Sequence, residues 1–545
     1  MLPQWKADSE NGSVQATQPN PRRTAVLPLP LVVERTPRRM AVLPLPLVVE
    51  MITTDEILKA PLKGTSGGDS PVGVELPVVA EESRNVSRPT GVGIDCKAVV
   101  LAGHAAFAGG RAATATFYTM GCRLNQSETD TLASSFFVDG YQVVPPHTVA
   151  DIAIINTCSV TESAEATCRY TIRKILRQSP KTFIAVTGCY AQSGVEALRK
   201  IPGIDLIAGA DHKMLLPTLM KNTFGKNISK LSEPLVFHTP KISRDDFVLP
   251  TYAAFQHQTR PNIKVQDGCD FFCSFCIIPN TRGRERSRQW DNVLLEAALW
   301  AAQGYREIVL TGVNVGEYCS DGRGVNDLID ALSEISELER IRISSIEPTT
   351  VDAGLLDQMR NGKLCPHLHL PLQSGSDAVL SNMGRRYTRE EYIAFAQEAL
   401  ATVPDLSLGT DVMVGFPGEG QIEFEETVSL LEALPFSYFH VFPFSERKGT
   451  RVTRMGLYPV SSSVIKKRSK VLLELSEKKK SAFYQASLGK VVSVLFENTY
   501  QNGMSFGLSG NYIRVGIVTH RNLSGVMQKV RLEKVRDGFA EGVFV

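Results

Sequence analysis

The sequence predicts an α/β protein in three folded parts: an N-terminal parallel-sheet domain, a partial (β/α) barrel, and a small all-β barrel at the C-terminus. Three observations carry that prediction. From Thr114 onward, short apolar runs ending in a turn alternate with helix-forming segments, which is the pattern of parallel strands joined by crossover helices. The alternation pauses over 213–259, read as a linker, and resumes to about Thr450. Residues 486–545 then hold only short strand-like runs separated by turn residues.

The bulk numbers set limits. A chain of 545 residues is too long for one core. A hydrophobic content of 43% and a charged content of 21% are those of an ordinary soluble protein. The net charge of +2 excludes a chain-wide surface for polyanions, so any basic face must be local. The sequence has no apolar run of roughly 18 residues or more, which excludes a membrane span and a membrane partner. Ten cysteines are too sparse for a disulfide scaffold, and MLPQWKADSENGS is too polar for a signal-peptide core. Reduced thiols in a cytoplasmic setting are expected, used for metal binding or catalysis.

Residues 1–112 contain a tandem copy, PRRTAVLPLPLVVE at Pro21 and PRRMAVLPLPLVVE at Pro37, with period 16. Leu-Pro-Leu-Pro cannot run as a helix or a central strand, and two copies are too few for a solenoid. This stretch is expected to be a disordered low-complexity extension, arising from an over-extended translation start. Residues 113–225 form the first folded domain. There TATFYTMGC, DIAIINTC and TFIAVTGC end at Cys122, Cys158 and Cys189, spaced by 36 and 31 residues, one βαβ unit each. Ligands gather at the carboxyl ends of parallel strands, so three thiols at equivalent positions read as one constellation.

Residues 255–485 carry six β-rich runs: NIKVQDGC, REIVLTGVNVG, ERIRISSIEP, LHLPLQSGSD, LSLGTDVMVGFPGE and FSYFHVFPFSERKGT. Intervening segments such as TREEYIAFAQEALATV have helical apolar spacing, so a partial barrel with its chemistry at the strand ends is expected. In residues 486–545, VVSVLFENTY, NYIRVGIVTH, QKVRLEKVRDG and AEGVFV suggest an OB-like barrel.

GCDFFCSFCIIPNTRGRERSR, beginning at Gly268, holds the densest chemistry. Cys269, Cys273 and Cys276 form C-x-x-x-C-x-x-C. Three thiolates on one loop can hold three corners of a cubane iron–sulfur cluster and leave the fourth iron without a protein ligand. A structural zinc would need a fourth ligand close by, and none follows at a suitable spacing. Phe271, Phe272 and Phe275 are expected to keep water from such a cluster.

This loop resembles the signature of radical S-adenosylmethionine enzymes. The resemblance implies that Cys269, Cys273 and Cys276 are catalytic, holding a [4Fe-4S] cluster whose open iron chelates S-adenosylmethionine for cleavage to a 5′-deoxyadenosyl radical. LTGVNVG resembles the family's turn at the methionine end of the cofactor, which implies contacts from Gly312 and Asn314. Glu347, Gln373 and Asp411, at the ends of later strands, are further candidate contacts to cofactor or substrate. MGCRLNQSETD, INTCSVT and TGCYAQ resemble the N-terminal domain of the methylthiotransferases. That match assigns Cys122, Cys158 and Cys189 to a second [4Fe-4S] cluster and the C-terminal barrel to a TRAM domain. It also implies tRNA, a low-potential electron donor and a sulfur donor as partners.

RGRERSR, HVFPFSERKGT and GCRLNQSETD resemble the branch acting on N6-threonylcarbamoyladenosine at tRNA position 37. An arginine can grip the carboxylate of that substituent through two parallel hydrogen bonds. Arg282, Arg284, Arg286 and Arg288 are therefore substrate candidates, with contact to tRNA phosphates as the alternative. Residues 445–545 contain 18 Lys+Arg against 7 Asp+Glu, an excess of 18 − 7 = +11, and IKKRSK and SEKKKS lie on a predicted helix. That is the footprint of a phosphate-backbone partner. The rival readings are the same chemistry on isopentenyladenosine or a ribosomal-protein aspartate, and a non-catalytic RNA-binding protein with structural zinc.

Overall fold

The computed structural model describes residues 112–224, 228–250 and 258–545. The low-complexity extension expected over residues 1–112 lies outside the described residues but for its last. The first sheet has six parallel strands: β1 (Thr114–Thr119), β2 (Gln142–Val144), β3 (Ile152–Thr157), β4 (Phe183–Gly188), β5 (Leu206–Ala208) and β6 (Leu235–Phe237). Their order is β2-β1-β3-β4-β5-β6. Strands β3 and β4 are buried at every position, as a parallel sheet covered on both faces requires. Helix α1 (Arg123–Val138) follows β1, and α2 (Glu162–Gln178) follows β3. In α2, Cys168, Ile172 and Ile175 form the buried stripe, and the Thr161 side chain accepts from the Ala164 amide at the N-terminus.

Strand β6 corrects the expected linker over 213–259, part of which belongs to the sheet. Leu235, Val236 and Phe237 pair with Leu206, Ile207 and Ala208. Three residues are too few to show a periodicity, so the edge strand is set by its partner.

All six barrel runs appear as strands: β7 (Asn262–Lys264), β8 (Glu307–Thr311), β9 (Arg340–Ile343), β10 (His367–His369), β11 (Ser407–Val414) and β12 (Tyr438–Pro443). They form two parallel three-stranded sheets, β9-β8-β7 and β10-β11-β12. Parallel bridges Ile341–Leu364 and Ser345–His369 join β9 to β10 and its approach. The arc is a partial barrel. Its core includes Ile263, Leu310, Ile341, Leu368, Leu408 and Val412.

A long helix spans Ser462–Gln485 and leads into the C-terminal barrel. That barrel is closed by β13 (Val491–Gln501), β14 (Met504–Ser509), β15 (Arg514–Val518), β16 (Met527–Arg536) and β17 (Phe539–Phe544), in the order β13-β14-β15-β17-β16. Strand β14 is absent from the sequence expectation, because MSFGLS carries only two large apolar side chains beyond its methionine. The Arg342 guanidinium, fully buried, ties the barrels together. It donates to Gly510 O at 2.8 Å, Ser509 O at 3.2 Å and Glu307 at 2.8 Å. Among the described residues, no helix is long and apolar enough to cross a membrane.

Candidate active site

The parallel register aligns the ends of three strands, since Thr119 is beside Asn156 and Thr157 beside Gly188. Cys122 caps α1, Cys158 follows β3, and Cys189 begins the short helix α3 (Cys189–Ser193). The turns fit because Gly121 has no side chain. At φ +94°, a Cβ there would lie 2.7 Å from Cys158 Cβ and 2.9 Å from its Sγ. Asn125 Nδ2 donates to Met120 O (2.7 Å) and Thr157 O (3.0 Å), stitching two of the turns. Burial, then the nearby charges of Cys189 and Cys122, push the Cys158 thiol up to about 11.

The second trio sits on the loop after β7. Ser274 anchors it, its amide donating to Met383 O at 2.7 Å and its hydroxyl to Asn382 O at 2.8 Å. Gly268 (φ +74°) opens the loop, and a Cβ there would lie 1.9 Å from Arg284 O. Burial, reinforced by neighbouring negative charge, pushes the Cys269 and Cys276 thiols up to about 12. Thiols so raised stay protonated at neutral pH unless a metal replaces the proton. Three sulfurs on one ion at about 2.3 Å would lie within about 4 Å of one another. Among the described residues, neither trio has its sulfurs all within 4.8 Å. Three thiols from one loop, and three more from aligned strand ends, are the kind of donor set that a [4Fe-4S] cluster takes, so the residues present fit the implied groups.

The five cofactor candidates fall into two places. Gln266 Oε1 accepts from the Val313 (2.8 Å) and Asn314 (3.1 Å) amides, and a Cβ on Gly312 would meet that oxygen at 2.8 Å. Asn314 Oδ1 accepts from the Glu347 amide at 3.0 Å, while its buried Nδ2 has no partner among the described residues. The Glu347 carboxylate pairs with Arg385, whose Nη1 donates to Cys273 Sγ at 3.3 Å. Asn314 and Glu347 are thereby linked to the cysteine loop through Arg385, a residue with no motif to announce it. Gln373, at φ +67°, pairs through its backbone with β11, its amide donating to Asp411 O at 2.8 Å. The Asp411 carboxylate lies between His369 (3.0 Å) and His440 (3.1 Å).

The arginine run needs a correction. Arg282 is 3% exposed. It binds Glu128 (3.0 Å), Asp267 (2.8 Å) and Asn125 (2.5 Å), while Lys213 and Lys264 complete the network around Glu128. Burial works against its charge, but Glu128, Cys189, Asp267 and Cys122 together hold the guanidinium well above its ordinary value. Arg288 is wholly enclosed and pairs with Glu296 and Asn292. These two, the first and the last of the run, point inward, where carboxylates hold them. Arg286 is half-buried against Asp267 and Asp211. Arg284 is the most open of the four. It grips Asp270 with two bonds of 2.5 Å and lies 4.6 Å over the Phe272 ring. Phe272 is itself 45% exposed, so Phe271 is left buried to exclude water, and Phe275 packs against Phe416. A cavity of about 380 Å³ opens beside Cys189, Lys213 and Arg282.

Residues 263–431 match the radical SAM superfamily, and residues 114–209 match a family described as uncharacterized protein family UPF0004. Together with the two thiol trios, these matches define the class, a radical SAM enzyme with a cysteine-bearing N-terminal domain. A threonylcarbamoyladenosine tRNA methylthiotransferase MtaB from Aquifex aeolicus is 38% identical over 70% of this chain and 92% of its own. The protein of that name from Bacillus subtilis is 34% identical over 79% of this chain and 96% of its own. A tRNA-2-methylthio-N(6)-dimethylallyladenosine synthase from Acetivibrio thermocellus is 32% identical over 78% of this chain and 90% of its own. The chain belongs to the radical SAM methylthiotransferase family.

Proposed function

We propose that this enzyme transfers a methylthio group to C2 of N6-threonylcarbamoyladenosine at position 37 of tRNA. The observation that carries the substrate is the 38% identity to the Aquifex relative of that name across nearly its whole length. Cys269, Cys273 and Cys276 hold one [4Fe-4S] cluster, and Cys122, Cys158 and Cys189 hold another. When bound, the first supplies an electron for reductive cleavage of S-adenosylmethionine and the second relays the sulfur.

The rest is the work of this chain's own groups. Arg385 donates to the Cys273 sulfur and holds Glu347 beside it, so both keep their place at the mouth of the loop. Asn314 offers its free amide Nδ2 at the same strand ends, a donor suited to a carboxylate of the cofactor. Arg282 places a fixed positive charge beside Cys189 and Cys122 and locks α1 to the barrel loop. The domain assignment follows the same division, with 113–225 as the sulfur-cluster domain, 255–485 as the radical domain and 486–545 as the TRAM domain. Exposed Lys466, Lys467, Lys470 and Lys478, with Lys529, Arg531 and Lys534 on β16, give the tRNA backbone a basic track. A low-potential electron donor and a sulfur donor complete the partners.

The test is anaerobic turnover of the cluster-loaded enzyme on tRNA bearing either N6-threonylcarbamoyladenosine or N6-isopentenyladenosine, with nucleoside mass spectrometry. The methylthio form of the first is expected. Product from the second alone would overturn the choice of base.

A further inference from the structure

Strands β10, β11 and β12 bring together three side chains that no motif connects. Asp411 lies directly across from His440 in the β11–β12 register. His369 pairs with Gly409, two residues before Asp411 and so on the same face of the sheet. Both imidazoles converge on one carboxylate oxygen. His369 Nε2 is 3.0 Å from Asp411 Oδ1 and His440 Nδ1 is 3.1 Å from the same atom, and the three ligand atoms all lie within 4.8 Å of one another.

We propose that His369, Asp411 and His440 form a site for one divalent transition-metal cation, separate from the two thiol trios and beyond the activity proposed above. Bonds of about 2.0–2.2 Å to nitrogen and oxygen place neighbouring ligand atoms about 3.0–3.4 Å apart at right to tetrahedral angles. The two histidine–carboxylate spacings, 3.0 and 3.1 Å, match. Two imidazoles and one carboxylate are the donor set that suits zinc or ferrous iron and leaves coordination positions open for water or a substrate oxygen. Access fits as well, since the His440 side chain is 58% exposed while His369 is 10% exposed.

The surroundings orient the ligands. Tyr438 sits opposite Gly409, where any Cβ would meet the Tyr438 ring at 2.3 Å. Glycine there lets the ring lie across β11 and bring its hydroxyl to His369 Nδ1 (3.1 Å) and His367 Nε2 (2.9 Å). A metal-bound imidazole usually donates its other N–H to a fixed oxygen, and the Tyr438 hydroxyl is that oxygen. With His369 Nδ1–H donating to Tyr438 and Tyr438 donating to His367, the Nε2 lone pair of His369 is left facing Asp411 and the cation.

The experiment uses the full chain with both clusters loaded anaerobically and adventitious metal removed by chelator. Zinc is then titrated against a chromophoric chelator for wild type, His440→Ala and Tyr438→Phe. Iron content measured on the same samples shows that the clusters stay intact. Wild type is expected to take one zinc per chain, His440→Ala to lose it, and Tyr438→Phe to bind about 10- to 100-fold more weakly. Zinc uptake equal in wild type and His440→Ala, or none by wild type, overturns the site. Unchanged affinity in Tyr438→Phe overturns the orienting role of Tyr438. His440 is exposed, so its loss leaves the packing in place, and neither readout depends on which nucleoside the enzyme modifies.

Discussion

The two cysteine trios hold the same number of thiols but are built in opposite ways. Cys269, Cys273 and Cys276 share one loop, and that loop keeps its shape by borrowing partners: Ser274 on Met383 and Asn382, and Arg385 on Cys273. Cys122, Cys158 and Cys189 come from three separate turns, and the sheet itself holds them in line through the β1-β3-β4 register. A contiguous site needs anchors, whereas a site at strand ends inherits its rigidity. Arg282 belongs to both, because it leaves the first loop and ends on Asn125 and Glu128 in the helix that Cys122 caps.

The largest expected effect separates the trios by function. Alanine at Cys269, Cys273 or Cys276 should abolish cleavage of S-adenosylmethionine. Alanine at Cys158 should leave uncoupled cleavage and abolish methylthiolation. The measurements are 5′-deoxyadenosine release and nucleoside mass spectrometry on the same samples. Methylthiolated tRNA from both variants would end the two-cluster assignment.

The contrast also explains what the sequence could reveal. The contiguous trio is legible from spacing alone. The strand-end trio is legible once each cysteine is seen to follow an apolar run, because a parallel sheet aligns such ends. The six barrel strands were readable for the same reason, each being an apolar run before a turn. Burial of charge was not readable. In RGRERSR every arginine looks alike, and only the fold shows Arg282 and Arg288 enclosed by carboxylates from elsewhere, such as Glu128 on α1 and Glu296 on the helix Trp290–Ala302. Arg385, His369 and His440 were missed because their partners are distant in sequence and near only across strands or loops.

A smaller effect tests the shared piece. Removing one partner from a buried ionic network leaves the others uncompensated, so Arg282→Ala should cost about 3–5 kcal/mol in chemical denaturation. Arg284→Ala, at the surface, should leave the denaturation midpoint unchanged. Burial opposes ionisation of Glu128, but Arg282, Lys213 and Lys264 outweigh it and hold the carboxyl well below its usual range. A depressed acid contributes stability above its unfolded pKa and loses it as pH falls. Wild type should therefore weaken as pH drops below about 4.5, and Arg282→Ala should show a shallower loss there. Equal acid sensitivity in both would mean that Arg282 does not join the trios energetically.

The smallest effect lies away from both trios and so isolates the RNA contact. Lys467 and Lys478 are exposed on the helix Ser462–Gln485, and among the described residues neither is held in an ion pair with an acid, unlike Arg284 on Asp270. A lysine that meets a phosphate releases about one counterion when the RNA binds. Each alanine replacement should lower tRNA affinity modestly and reduce the slope of log affinity against log salt by about 1. Release of 5′-deoxyadenosine without tRNA should not change. If Arg284→Ala reduced that slope as much as the helix lysines do, the radical loop would itself carry a phosphate contact. The division between a cluster loop turned inward and a basic track turned outward would then have to be redrawn.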